Sequence, residues 1–216
     1  MNRPCQWRKM LLADIGNTHF HIYDGKKVEH LSYSEAIEKY RGERLHYISV
    51  NTYIEKQIGC IENWKNVSGL VHIPGEYETM GVDRKALCLS HKNGIFVDAG
   101  SAITVDIVEG GVYRGGIIFP GIQTMLESYG HISKALETEL VPDINLTQLP
   151  FTTKEQISYG IIASIKALID RHRGGKTLYF TGGDGEFLSA FFDHAQYSET
   201  LVFEGMRYAL KEKRQC

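Results

Sequence analysis

Two stretches of this chain share one rhythm of apolar and polar positions. Leu11, Leu12 and Ala13 lead to Asp14, a Gly16-Asn17-Thr18 turn signal follows, and Phe20 and Ile22 then alternate with polar neighbours. Ile95, Phe96 and Val97 lead to Asp98, Gly100 and Ser101 follow, and Ile103, Val105 and Ile107 alternate in the same way. An apolar block closed by a turn signal reads as a buried strand, and alternation beyond it as a second strand folded back. In the first half the pattern predicts strands over 10–15, 19–23, 28–31, 45–50 and 67–72. Helices are predicted over 34–40, opened by Ser34, and over 52–58 and 84–90. The second half predicts strands over 94–98, 102–108, 112–118 and 177–180, with helices over 122–129, 132–136, 153–171, 186–192 and 203–213. Residues 137–152 are predicted to be irregular.

Strand–strand–strand–helix–strand–helix–strand is the order of a ribonuclease-H-like α/β domain, and its repetition predicts a duplicated fold with a nucleotide cleft between the copies. The expected division is 1–92 and 93–216, with the last helix able to pack back on the first domain. A chain of 216 residues, 43% of them hydrophobic, is long enough for two such cores. The formal net charge of −2 leaves no basic footprint for nucleic acid. No apolar run approaches the ~18 residues of a membrane span. Residues 1–10 lack an apolar signal core, so a cytoplasmic location is expected. Cys5, Cys60, Cys88 and Cys216 are scattered without a CxxC pair, which favours free thiols over disulfides or zinc. The nine histidines form no metal pattern.

The candidate chemistry lies in the turns. A hairpin turn after a buried strand can aim backbone N–H groups and hydroxyls at phosphate oxygens, and Asp14 at the strand end suits a hydrated Mg²⁺ bound to them. An ordinary hairpin explains the first stretch taken alone; its echo at 95–107 favours a phosphate role. Asp83 and Arg84 open a helix just ahead of the second copy. They read either as a dipole-matched acid with a surface ion-pair partner, or as a proton acceptor beside a bidentate carboxylate clamp. Thr181-Gly182-Gly183-Asp184-Gly185, between strand and helix, would let a nucleotide approach the backbone.

Taken together, DIGNT (14–18), GVDR (81–84), DAGSAIT (98–104), GGIIFPG (115–121) and TGGDG (181–185) resemble the type III pantothenate kinases, of the acetate and sugar kinase/actin superfamily. The resemblance implies an actin/sugar-kinase-type fold, ATP-dependent phosphorylation of pantothenate to open coenzyme A synthesis, a monovalent cation (K⁺ or NH₄⁺), and a homodimer. It implies an ATP site of Asp14, Ile15, Gly16, Asn17, Thr18, His19, Phe20 and His21, with Ser101, Gly182 and Gly183, and Mg²⁺ near Asp14. It implies a substrate site of Gly81, Val82, Asp83 and Arg84, with Asp83 accepting the proton, and Thr153 reaching pantothenate from the neighbouring subunit. Asp98 would bind the monovalent cation. Three positions depart from the family pattern: Thr152 stands where Asn is common, His21 where a basic residue is common, and Pro74 where a substrate-loop tyrosine is common. Tyr77 is the nearest tyrosine and takes that role in the expected site. The stripe Ile157, Ile161, Ile162, Ile165, Leu168 and Ile169 is wider than one sheet requires, which points part of it at a partner. A kinase for another small hydroxyl or carboxylate substrate, a nucleotide phosphatase, and a non-catalytic nucleotide-binding regulator of the same fold are the alternative readings.

Overall fold

In the computed structural model, which describes residues 10–212, the strand Leu11–Ile15 (β1) is the centre of a five-stranded sheet. β2 (Phe20–Tyr23) pairs antiparallel with β1, and β3 (Val28–Leu31) antiparallel with β2. β4 (Leu45–Ser49) lies parallel to β1 on its other side, and β5 (Trp64–Asn66) parallel to β4, giving the order β3-β2-β1-β4-β5. Helix α1 (Tyr33–Tyr40) connects β3 to β4, and α2 (Thr52–Ile58) connects β4 to β5.

β1 is covered on both faces, Leu12 as completely buried as its neighbour Ala13, as its central place requires. Ala13 and Ile15 face one side with Phe20, Ile22, Leu45, Tyr47 and Trp64, in a core that includes Ala36 of α1 and Ile54 and Ile58 of α2. On the opposite face, α3 (Val82–Leu89) packs on β4, and a helix late in the chain packs on β1 and on α3.

The second sheet repeats the plan. β6 (Gly94–Ala99) pairs antiparallel with β7 (Ala102–Glu109), and β8 (Val112–Pro120) lies beyond β7. α4 (Ile122–Ile132) and the 21-residue α5 (Thr153–Arg173) lead to β9 (Leu178–Thr181), which runs parallel to β6. After α6 (Gly185–Ser189), β10 (Gln196–Tyr197) adds parallel to β9, so the order is β10-β9-β6-β7-β8. The chain then enters α7 (Leu201–Glu212), the late helix that lies against α3 and β1; Phe203 stacks on Tyr23 of β2 with ring centroids 5.3 Å apart. The described chain thus forms two units: residues 10–92, 109–113 and 199–212 in one, and Asn93–Val108 with Arg114–Ser198 in the other.

Several local expectations change. The strand predicted over 67–72 is instead β5 at Trp64–Asn66, because Asn66 ends it: its Oδ1 accepts the Ser68 N–H at 2.8 Å and a short 3-10 turn follows at Ser68–Leu70. Ser32, not Ser34, caps α1, in a reciprocal box with Glu35. The two-residue β10 was not predicted. Ile157, Ile161, Ile162, Ile165 and Ile169 are all buried in the second unit's core, so the stripe on α5 is used within the chain and does not by itself argue for a partner. Cys60 is exposed, Cys88 is buried, and neither is in a disulfide; Cys5, Cys216, the N-terminal segment 1–9 and the tip of the last predicted helix lie outside the described residues.

Candidate active site

Asp14 is the penultimate residue of β1, in register with His21 of β2 and Ile48 of β4. Four residues, Gly16 to His19, bridge the paired Ile15 and Phe20, and Gly16 N–H donates to the His19 carbonyl at 3.1 Å. The turn is braced from the helices. Tyr33 donates its hydroxyl hydrogen to the Gly16 carbonyl at 3.0 Å and accepts from the Asn51 amide at 3.1 Å, while Asn51 Oδ1 caps α2. The side chains of Ile15 and Phe20 are fully buried and hold the turn from inside, whereas Asn17, Thr18 and His19 are exposed. The turn therefore presents an amide and a hydroxyl to solvent on a fixed backbone.

His21 behaves differently from a basic residue. Burial, with help from His30 and His19, lowers its pKa from 6.5 to about 4, and its Nδ1 lies 2.6 Å from His30 Nδ1. At neutral pH it is an uncharged hydrogen-bonding group.

The second cluster of predicted residues is built around the start of α3. Ile73-Pro74-Gly75-Glu76 forms a turn closed by Glu76 N–H on the Ile73 carbonyl at 3.1 Å, with Gly75 at φ 84°; proline second and a positive-φ glycine third are what a type II turn requires. The Glu76 carboxylate accepts from the Ile73 N–H at 2.8 Å and pairs with Lys85 at 2.9 Å and His72 at 3.0 Å. Burial pushes its pKa up, but these hydrogen bonds outweigh burial and leave it below the ordinary value. A second turn, Met80 N–H on the Tyr77 carbonyl at 3.0 Å, brings the chain to Gly81, the N-cap of α3. Asp83 lies in the first turn of the helix, where the dipole favours negative charge, and its Oδ1 accepts the Arg84 N–H at 2.7 Å. A side chain on Gly81 would occupy the place of that carboxylate.

Arg84 is only 7% exposed. Its Nη1 donates to the Tyr77 hydroxyl at 2.6 Å and its Nη2 to the Tyr113 hydroxyl at 3.3 Å. Gly81, Val82, Asp83 and Arg84 thus open α3 together, with Tyr77 on the Arg84 guanidinium. Tyr113 and the Glu76–Lys85 pair were not anticipated. The type II turn was legible in Pro74-Gly75, but nothing local marks Tyr113, which sits 29 residues beyond Arg84.

In the second unit, Asp98 is the penultimate residue of β6, in register with Thr104 of β7 and Thr181 of β9. Only three residues, Gly100 to Ala102, bridge the paired Ala99 and Ile103. Two neighbouring turns close on this one: Gly121 N–H donates to the Ser101 carbonyl at 3.0 Å, and Asp184 N–H to the Ala99 carbonyl at 2.9 Å. Gly182, at φ 87°, lies so close that a Cβ would collide with the Ala99 carbonyl and with Asp98 Oδ1. Burial raises the Asp184 pKa. Ser101 and Gly183 are exposed. Thr153, also exposed, is the first residue of α5, and Thr152 is its cap: the hydroxyl accepts the Glu155 N–H and donates to the Glu155 carboxylate at 2.7 Å.

Both aspartates fit the cations their motifs imply. A hard ion takes oxygen ligands, and Mg²⁺ keeps several waters, so it needs only one or two carboxylates beside phosphates. Asp14 offers a half-buried carboxylate next to the exposed Asn17 and Thr18. Asp98 offers a carboxylate packed on a glycine backbone, beside a turn of carbonyls. Among the described residues, no group of three or more His, Cys, Asp or Glu side chains could hold a metal, so a transition-metal cage is not part of this set.

A family profile described as type III pantothenate kinase matches residues 49–173. The chain is 40% identical, over 205 residues covering 94% of it and 100% of the relative, to a type III pantothenate kinase of Helicobacter hepaticus. Among solved structures it is similar to a Campylobacter jejuni protein described as a candidate Baf family transcriptional activator, with 36% identity and a TM-score of 0.86, over 95% of this chain and 100% of that one. A more distant structure, a candidate 2-dehydro-3-deoxygalactonokinase from Sinorhizobium meliloti, aligns over 94% of this chain and 99% of that one. Its TM-score is 0.58 at 10% identity, and it shares the fold alone.

Proposed function

The chain belongs to the type III pantothenate kinase family, and from that premise we propose that it transfers the γ-phosphoryl group of ATP to the primary hydroxyl of pantothenate, opening coenzyme A synthesis. The observation that carries the reading is the single cluster formed by Gly81, Asp83, Arg84 and Tyr77 at the start of α3. It puts an oriented carboxylate beside a guanidinium held in place, which suits a substrate with a hydroxyl at one end and a carboxylate at the other.

Phosphoryl transfer depends on alignment and charge stabilisation more than on covalent chemistry. Asp83 orients the pantothenate hydroxyl and receives its proton as the oxygen bonds to the γ-phosphorus. The bond from phosphorus to the β,γ-bridging oxygen breaks, and ADP leaves with the electron pair. Arg84 holds the pantothenate carboxylate. Asn17, Thr18 and the turn amides from Gly16 onward hold phosphate oxygens; Ser101, Gly182 and Gly183 are the further nucleotide contacts that the family resemblance implies. Asp14 would hold Mg²⁺ and Asp98 K⁺ or NH₄⁺; both ions would offset phosphate charge.

The active form is proposed to be a cytoplasmic homodimer in which Thr153 serves the neighbouring site. Support comes from the family and from an apolar groove of about 370 Å³ lined by Phe119, Met125, Tyr129, Ile132 and Ile161, with Ile132 72% exposed at its edge. No helix among the described residues is long and apolar enough to cross a membrane. A mass measurement on the active enzyme that returns a monomer removes the dimer.

The reaction itself is tested by following ADP release with pantothenate, sugars, acetate and water as acceptors. Release only with pantothenate, and a phosphorylated product by mass, is expected. Release with water alone would make the chain a phosphatase. The activator description of the Campylobacter jejuni protein makes a regulator the second reading; a folded, ATP-binding chain that turns over none of these acceptors would favour it.

A further inference from the structure

Arg84 is nearly sealed from solvent, yet the proposed reaction asks it to recognise a carboxylate. A guanidinium does this best with two parallel N–H donors in one plane, so its orientation matters as much as its charge. The two tyrosines that touch it differ. Tyr113 is 9% exposed and Tyr77 is 41% exposed. An incoming carboxylate can replace the Tyr77 hydroxyl at Nη1, whereas the Tyr113 hydroxyl at Nη2 is out of reach. Tyr113 is itself fixed through its backbone: its N–H donates to the Pro74 carbonyl at 2.8 Å, and Gly75 packs against its carbonyl without room for a Cβ. The same residue therefore anchors the loop that carries Tyr77 and grips the arginine that Tyr77 covers. The two rings lie 6.1 Å apart.

We propose that Tyr113 is a positioning residue for substrate recognition: its buried hydroxyl fixes one edge of the Arg84 guanidinium, so that the edge covered by Tyr77 is presented to the carboxylate of pantothenate. The inference rests on the reading of Arg84 as the carboxylate clamp. Without the Tyr113 hydroxyl, Arg84 keeps its charge but is held less firmly in its plane, so carboxylate binding weakens while the chemistry at Asp83 does not. Hydrogen bonds to charged groups contribute enough for a ~10-fold effect or more, and the 3.3 Å separation here is long for such a bond.

The test is Tyr113→Phe, which removes one oxygen and keeps the ring. With pantothenate, KM is expected to rise about 3- to 30-fold while kcat stays within about twofold of the parent. With the alcohol analogue, in which a hydroxymethyl group replaces the carboxylate, the parent and Tyr113→Phe are expected to have kcat/KM values within about twofold. In an Arg84→Ala background, Tyr113→Phe is expected to change the pantothenate KM by less than about twofold, since the group it positions is gone. Equal losses with both substrates, or a full effect persisting without Arg84, would mean a general structural role and overturn the inference. So would a pantothenate KM that ignores the hydroxyl in an active enzyme. A parent chain without pantothenate-dependent ADP release would overturn the functional reading, and this inference with it.

Discussion

The two turns that follow Asp14 and Asp98 stand at the same place in the same strand order, yet they are built to different specifications. The first spans four residues, exposes Asn17, Thr18 and His19, and is supported through side chains, by Tyr33 and Asn51. The second spans three residues and is supported through backbone, by Gly121 and Asp184 N–H groups and the close approach of Gly182. A turn held from its helix side is free to offer side chains outward. A turn enclosed by glycine backbones is held more tightly and exposes fewer side chains, Ser101 among them. The two positions are equivalent in strand order, and the packing around each sets which groups its turn exposes.

Substitutions can separate these roles. The largest effect is expected at Asp83, the acceptor of the unit with the side-chain-rich turn: Asp83→Asn should lower kcat by about 10²–10⁴-fold with the thermal midpoint unchanged. Turnover near the parent rate would end its assignment as base.

Next is a matched pair of glycines. Gly182→Ala forces a β-carbon into the Ala99 carbonyl at a positive φ and should cost about 2–5 kcal/mol in urea unfolding. Gly16→Ala meets only ordinary contact, 3.6 Å from the His19 carbonyl, and should cost less than about 1 kcal/mol. Equal costs would erase the distinction between the two turns.

Asp98→Ala should then blunt activation by K⁺ or NH₄⁺ more than it raises the pantothenate KM. Cation titrations of both proteins measure this, and superimposable curves at full activity would remove Asp98 from the cation site.

The smallest effect is a pH dependence confined to the first turn's strand. His21 titrates at about 4 when folded and near 6.5 when unfolded. Between those values the unfolded chain binds the extra proton, so stability rises with pH across this window and is lost as pH falls from 6.5 to 4. The loss attributable to His21 is at most about 3 kcal/mol, less after solvent screening. His21→Gln should flatten that part of the stability–pH curve; an unchanged slope would show that the imidazole titrates normally.

What was legible in the sequence follows the range of the forces involved. The strands around both turns were read correctly because alternation and turn residues are local, and the Pro74-Gly75 turn announces itself in two residues. The strand expected over 67–72 failed because Val67, Val71 and Ile73 are buried without being a strand: a side chain at Asn66 diverted the backbone, and burial alone looks apolar in either case. The α5 stripe misled in a related way, since an apolar face does not say whose surface covers it. Asp83 and Arg84 were legible as a motif, but the tyrosine that grips Arg84 was not, because no spacing rule links positions 84 and 113. The neutral state of His21 depends on burial and on its cross-strand neighbour His30, neither of which a residue type declares.

One feature of the fold bears on how the chain is made. The unit around Asp14 is assembled from residues 10–92, 109–113 and 199–212, while the unit around Asp98 takes the two stretches between them, Asn93–Val108 and Arg114–Ser198. On a ribosome, β1 to α3 emerge early but lack α7, which covers β1 and α3 and supplies the partner ring for Tyr23. The half that is synthesised first is therefore completed last, after all the residues of the other half have left the exit tunnel. Until then its apolar face is open to chaperones and to aggregation. A released chain truncated after Ser198 should be protease-sensitive in β1–α3 while its later-made half is protected.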